Sequence, residues 1–247
     1  MTDKCRLDAL LVDRGLVESR TKAQALVIAG RVYSGDRRLA KPGQATPIDL
    51  DLTVRQADHE WVSRGGVKLA HGLPYFSIDV AGRYCLDIGA STGGFTDVLL
   101  QSGAKHVVAV DVGRGQLAWS LRNDERVTVL EGVNARYLGK AEVPVPPSLV
   151  VCDASFIGLQ TVLPASLELA APAAHLVALI KPQFEVGKGR VGKGGVVRDP
   201  ALHQEVCDTI SAWLSNDLKW SVLGVTESPL KGPKGNTEFL IAAQKPA

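Results

Sequence analysis

Tyr84-Cys85-Leu86-Asp87-Ile88-Gly89-Ala90-Ser91-Thr92-Gly93-Gly94-Phe95-Thr96 is the stretch on which the fold turns. An apolar strand closes in Asp87-Ile88-Gly89, and Gly93-Gly94 opens a helical run that reaches Ser102. Glycines at such a junction let the backbone bend tightly and let a ligand come close. Outward from this junction, strand and helix patterns alternate. Strands are predicted at Tyr84–Ile88, His106–Asp111, Val127–Leu130, Leu149–Asp153, His175–Ile180, Trp220–Ser228 and Glu238–Ala243. Helices are predicted at Gly94–Ser102, Arg114–Asn123, Leu159–Leu169 and Ala201–Asn216. This order predicts an α/β fold, a Rossmann-like doubly wound sheet, mostly parallel, with ligands at the strand carboxyl ends. The last two strands have no clear helix between them, which predicts an antiparallel edge hairpin.

The 247 residues leave room for a second, smaller module before this sheet. Leu7, Leu10 and Leu11 share one helical face, and Gly15 stops that helix. Ser19 reads as the N-cap of a second helix carrying Ala23, Leu26 and Val27, with Gly30 at its end. Arg31–Asp36 reads as a strand entering a turn, and Ile48–Val54 alternates as a strand. The expected organisation is a small α+β domain over 1–58, a linker over 59–67 and the large α/β domain over 68–247.

Net charge is only +2. Between Met1 and Lys41, however, nine Lys/Arg face five acids. A locally basic end suits nucleic acid and equally suits a solvated mixed-charge face. The four cysteines form no C-x-x-C pair, so no metal site is expected, and a reducing cytoplasm suits them. No signal-peptide core and no membrane-length apolar run stand in the chain.

The glycine loop carries an acid directly before its first glycine. Asp87 would repel a pyrophosphate and could pair with an ammonium group, so S-adenosyl-L-methionine is favoured over a dinucleotide, while another Rossmann-like protein with a capping Asp stays open. Candidate cofactor residues on the loop are Asp87, Gly89, Ala90, Ser91, Gly93, Gly94, Phe95 and Thr96. Asp111 ends the second strand, where an acid can accept from ribose hydroxyls. Asn134 and Ala135 follow the third and could meet an adenine edge, and Asp153 follows the fourth.

Asp153, Lys181 and Glu238 flank apolar strands on the side where carboxyl ends gather. Buried strands accept ionisable residues only at a cost, so their recurrence carries weight. Together with Lys68 they make a Lys-Asp-Lys-Glu set. The loop Asp153-Ala154-Ser155-Phe156 lacks the prolines usual for amino-group methylation, and Cys152 reads as core rather than as a nucleophile. The set suits an alcohol acceptor, because a lysine can serve as base where burial and a neighbouring cation favour its neutral form.

At these residues the sequence resembles the FtsJ/RrmJ-like 2′-O-methyltransferases. Lys68, Asp153, Lys181 and Glu238 match that family's tetrad in order and context. The runs Val62–Gly66, Gly89–Thr96 and Lys181–Glu185 resemble more specifically the TlyA family, ribosomal RNA 2′-O-methyltransferases often labelled haemolysin A. Arg6-Leu7-Asp8, Gly15-Leu16, Ser19-Arg20 and Gly30-Arg31-Val32 are similar to the small RNA-binding domain of the ribosomal protein S-four type. The resemblance implies S-adenosyl-L-methionine as methyl donor and cytidine ribose in ribosomal RNA, within subunits or ribosomes, as target. It implies Lys181 as base, Asp153 orienting it, Lys68 assisting it or holding the ribose, and Glu238 completing the network. Arg6, Arg20, Lys22, Arg31, Arg64, Lys188 and Arg190 become candidate RNA contacts. The segment 61–68 is expected to bend at Gly65-Gly66, and the glycine-rich run Phe184–Val197 reads as a mobile loop over the site or a plain surface loop. A non-catalytic RNA-binding assembly factor and a membrane-lytic protein are the rival classes.

Overall fold

The structure, a computed structural model, describes residues 3–28, 30–54, 59–187 and 189–247, Pro233 by its backbone only. They divide into two compact units, Met1–Glu60 and Trp61–Ala247. Segment 55–58 and Lys188 lie outside the described residues.

In the first unit the order is β1 (Lys4–Arg6), α1 (Leu7–Asp13), α2 (Arg20–Ile28), β2 (Val32–Ser34), β3 (Arg37–Arg38), β4 (Ala45–Pro47) and β5 (Thr53–Val54). Strands β1 and β4 pair antiparallel, and β3-β2-β5 make a second small sheet. Leu7, Leu10 and Leu11 of α1 pack with Ala23 and Val27 of α2 and with Val32 in one core, as the helical spacing predicts. The Ser19 hydroxyl accepts the Lys22 amide at 3.2 Å, the expected cap. The expected strand over 48–54 is reduced to β5. Ile48 and Leu50 instead turn, and the Arg14 guanidinium takes their carbonyls, so the side-chain alternation there marks a turn and not a ladder.

The second unit opens with α3 (Gly65–Tyr75), followed by β6 (Tyr84–Ile88), α4 (Gly94–Gln101), β7 (His106–Asp111), α5 (Trp119–Arg122), β8 (Val127–Glu131), β9 (Leu149–Cys152), α6 (Leu159–Val162), α7 (Pro164–Leu169), β10 (His175–Ile180), α8 (Pro182–Glu185), α9 (Pro200–Ala212), β11 (Ser221–Glu227) and β12 (Phe239–Gln244). The sheet runs β11-β12-β10-β9-β6-β7-β8. The pairs from β10 through β8 are parallel, and β12 is antiparallel to both β10 and β11. The expected mostly parallel sheet with a late antiparallel pair is therefore present. Strand β12 is inserted inside the sheet and β11 is left at its edge. Order reverses between β6 and β9, the switch point where such sheets hold ligands. Apolar side chains fill both faces, with Leu86, Ile88 and Val150 on one side and Val107, Val151 and Leu179 on the other.

Three local expectations change. The segment 61–67 belongs to the second unit, and Gly65-Gly66 form the first turn of α3 rather than a bend. A Cβ on Gly66 would stand 2.5 Å from Trp61 Cβ, so glycine is there for close packing. The expected helix Arg114–Asn123 shrinks to α5, because acids at strand ends capture the amides that would have begun it. Asp111 accepts from Gly113 and Glu131 accepts from Gln116. The expected helix Leu159–Leu169 is split at Pro164, which opens α7.

Candidate active site

The carboxyl ends of β6, β7 and β9 frame a cavity of about 570 Å³ lined by the glycine loop, Asp111, Asn134, Ala135 and residues 153–157. A second cavity of about 240 Å³ is lined by Lys68, Gly89, Ala90, Gly94, Phe95, Asp153, Ser155, Lys181 and Glu238. Gly89, Ser91, Asp153 and Ser155 line both. Gly89 has φ +80°, and a Cβ on it would meet the Ala154 backbone at 2.9 Å. Only glycine lets the loop pass so close to the end of β9.

Around the larger cavity, Asp111 is braced by main-chain amides, Ser91 donating to Oδ2 at 2.8 Å and Gly113 to Oδ1 at 2.7 Å. Each carboxylate oxygen keeps a further lone pair. The Asn134 side chain accepts the Arg136 amide at 3.1 Å and keeps its NH₂ group. Glu131, which the sequence reading passed over, braces the facing loop. Amide donation from Gly115, with Arg122 beside it, holds its carboxyl down at about 2.

Asp87 does not reach either cavity. It is fully buried beneath the loop, where Thr96 Oγ1 donates to its Oδ2 at 2.6 Å and its Oδ1 has no hydrogen-bond partner among the described residues. Burial, with the nearby Asp153 charge adding, pushes it up to about 7. In this position Asp87 braces the loop from beneath through Thr96. Gly93 and Thr96 likewise support the loop without lining either of these two cavities. Gly93 faces Leu117 and Leu121.

The four residues of the Lys-Asp-Lys-Glu set, spread over 170 positions of sequence, converge on the smaller cavity. Lys68 is placed by α3, Asp153 by the end of β9, Lys181 by the end of β10 and Glu238 by the start of β12. Lys68 Nζ donates to Glu238 Oε2 at 2.6 Å and lies 4.0 Å from Asp153 Oδ2. Lys181 Nζ lies 2.5 Å from Asp153 Oδ1 and donates to Ser155 Oγ at 2.9 Å. Cations and anions alternate along this chain, so each buried charge has an opposite neighbour. Glu238 Oε1 has no hydrogen-bond partner among the described residues, and a Cβ on Gly232 would overlap it. The Cys152 thiol is fully buried and pushed up to about 12 by desolvation, as a core thiol should be.

Two further residues at the site escaped the sequence reading. Ser155 contacts Lys181. Phe156, 90% exposed at φ +67°, stands at the cavity mouth with its ring 5.2 Å from that of Phe184. Their signal was only the non-proline loop after Asp153.

Of the candidate RNA contacts, Arg6 grips fully buried Asp8 through two hydrogen bonds, and Arg20 lies 3.5 Å from the same carboxylate. Lys22 pairs with Glu18, Arg31 Nη2 lies 3.4 Å from His59 Nε2, and Arg190 pairs with Glu205. Arg64 is exposed at the start of α3.

The family model of the FtsJ-like methyltransferases matches residues 61–245, and that of the S4 domain matches residues 5–45. Over 98% of this chain and 90% of its own length, the Mycobacterium tuberculosis protein named 16S/23S rRNA (cytidine-2′-O)-methyltransferase TlyA is 52% identical. The chain belongs to the TlyA family of FtsJ-like methyltransferases. Hemolysin A of Brachyspira hyodysenteriae is 40% identical over 95% of this chain and 98% of its own. A solved Streptococcus thermophilus structure, provisionally named a hemolysin, superposes with a TM-score of 0.76 at 41% identity, covering 100% of this chain and 90% of that one. No helix among the described residues of this TlyA-family chain is long and apolar enough to cross a membrane.

Proposed function

We propose that the protein transfers a methyl group from S-adenosyl-L-methionine to the ribose 2′-hydroxyl of cytidine in ribosomal RNA, with Lys181 as the base. The observation that carries this reading is the alternating chain Glu238, Lys68, Asp153 and Lys181 on the wall of the cavity adjoining the glycine loop. The printed name of the Mycobacterium tuberculosis relative supports the cytidine and rRNA parts. The S4 match supports RNA as partner, and action on ribosomes implies a cytoplasmic protein.

The donor set fits S-adenosyl-L-methionine. The Asp111 lone pairs suit vicinal ribose hydroxyls, the free NH₂ of Asn134 and the Ala135 backbone suit an adenine edge, and Gly89, Ala90 and Ser91 leave room for the amino-acid end. When bound, that group supplies an electrophilic methyl on a sulfonium. The chain's own residues position the acceptor and hold its proton. In-line placement of the hydroxyl is the main requirement of methyl transfer. Asp153 Oδ1 fixes the Lys181 amine so that it can receive the hydroxyl proton, and Lys68, held by Glu238, adds positive charge where oxygen charge develops. Arg20, Lys22, Arg31, Arg64 and Arg190 are proposed phosphate contacts. The exposed ion pairs of Lys22 and Arg190 are weak enough to be exchanged for phosphate. Of the other two candidates, Arg6 is engaged by Asp8 and Lys188 lies outside the described residues.

Incubation with labelled S-adenosyl-L-methionine and ribosomal subunits, then nucleoside analysis, tests this. Label in 2′-O-methylcytidine is expected, and label on a base or on protein alone would refute it.

A further inference from the structure

Among the described residues, Lys181 Nζ has three hydrogen-bonding neighbours that differ in one chemical respect. Asp153 Oδ1 lies at 2.5 Å, Ser155 Oγ at 2.9 Å and the Asp153 main-chain oxygen at 3.3 Å. An ammonium has three N–H donors, so the protonated side chain is satisfied by these three acceptors. Loss of one proton turns one of the three directions into a lone pair. A carboxylate or a carbonyl oxygen can only accept, whereas a hydroxyl can also donate. Ser155 is therefore the neighbour of the three that can face the lone pair with an O–H instead of a second lone pair.

The surroundings fix the same direction. The Lys181 and Asp153 side chains are 7% and 20% exposed, while Ser155 is exposed and, like Asp153, lines both cavities. The loop beyond Ser155 is held in place. Phe156 turns the chain at φ +67°, and Glu185 Oε1 accepts the Leu159 amide at 2.8 Å.

We infer that Ser155 is a positioning residue for the base. Its hydroxyl accepts from the Lys181 ammonium and turns to donate to the amine, which keeps the lone pair of Nζ on the cavity side where an acceptor hydroxyl arrives. This rests on the reading of Lys181 as base. In the transfer the incoming hydroxyl takes over the third direction of Nζ. Its O–H bond breaks and the proton goes to Nζ. The freed electron pair on oxygen forms the bond to the methyl carbon, and the carbon–sulfur bond breaks with its pair left on sulfur. Ser155 returns to accepting from the ammonium and is itself unchanged.

The test compares Ser155→Ala, Ser155→Thr and Lys181→Ala in single-turnover methylation of ribosomal subunits, with S-adenosyl-L-methionine affinity measured by calorimetry. Ser155→Ala is expected to slow the methyl-transfer step about tenfold or more, the worth of one hydrogen bond to a charged group, at unchanged cofactor affinity and unchanged KM for RNA. Ser155→Thr, which keeps the hydroxyl, is expected to restore the rate to within about threefold on the same hydrogen-bond scale. A full rate in Ser155→Ala, a rate lost together with cofactor binding, or a failure of Ser155→Thr to rescue would each overturn the inference. If Lys181→Ala retains turnover, it is the assignment of the base that fails instead.

Discussion

Lys68 Nζ donates to Glu238 Oε2 at 2.6 Å, and both side chains are shut away from solvent, Glu238 to 1% exposure. Without Lys68, Glu238 is a buried charge with no cation beside it, and without Glu238, Lys68 keeps only Asp153 at 4.0 Å. Removing one partner of such a pair costs about 3–5 kcal/mol, while replacing both by apolar groups is often close to neutral. Glu238→Ala should therefore lower the thermal midpoint of the second unit and lower turnover together. A Lys68→Met/Glu238→Leu double variant should recover most of the stability and none of the turnover. Thermal melts alongside methylation assays check this, and equal stability of Glu238→Ala and the parent would count against it.

Arg6 and Lys22 should part company when mutated. The Arg6 guanidinium, first by its hydrogen bonds, holds the buried Asp8 carboxyl well below the usual carboxylate range. A lowered carboxylate gives stability that is present above its unfolded value and lost as pH falls through the folded one. Arg6→Ala should then destabilise the first unit at neutral pH and flatten its acid-unfolding profile, with loss of RNA binding in part a folding effect. Lys22→Ala should leave the fold intact and weaken RNA binding with a shallower salt dependence. Circular dichroism against pH, with binding measured at several salt concentrations, separates the two. Equal fold stability of both variants would contradict the distinction.

Much of the site was legible from sequence for one physical reason. Parallel strands buried on both faces are apolar throughout, so Asp153, Lys181 and Glu238 stood out as charges at strand ends. Helix α3 was not legible. Its first turn is Gly65-Gly66, poor in helix propensity, and it forms because Gly66 packs under Trp61 while Leu69 and Leu73 enter the core. The position of Lys68 depends on that packing. The charge of Asp87 is legible in the sequence, whereas its burial beneath the loop is not. Ser155 and Phe156 lie in a loop whose left-handed turn at Phe156 no apolar period announces.

Asp87 predicts a pH effect of opposite sign to that of Asp8. Burial raises its carboxyl from the ordinary carboxylate value to about 7. Between those two pH values the folded chain keeps a proton that the unfolded chain has released, so stability falls as pH rises across the window. Asp87→Asn should remove that slope, on the order of a few kcal/mol across the window, with the Thr96 hydroxyl still able to donate to the amide oxygen. Melts from pH 4 to 8 read it directly. An unchanged slope in the variant would show that Asp87 is not its source.

Phe156 offers an exposed ring at the mouth of the cavity that a splayed base could stack on, and such stacking is worth about 1–3 kcal/mol. Phe156→Ala should weaken productive RNA binding correspondingly, with Phe156→Trp retaining it. Fluorescence binding to ribosomal subunits checks this. A parent-like Phe156→Ala would leave the ring without a role there.

The central claim is that Lys181 takes the proton of a ribose hydroxyl. Its most direct measurement is nucleoside mass spectrometry of ribosomal RNA after reaction with the Lys181→Ala variant, with S-adenosyl-L-methionine affinity determined in parallel. The account predicts parent-like cofactor affinity and no 2′-O-methylcytidine above the enzyme-free control. Formation of 2′-O-methylcytidine at the parent rate would contradict it.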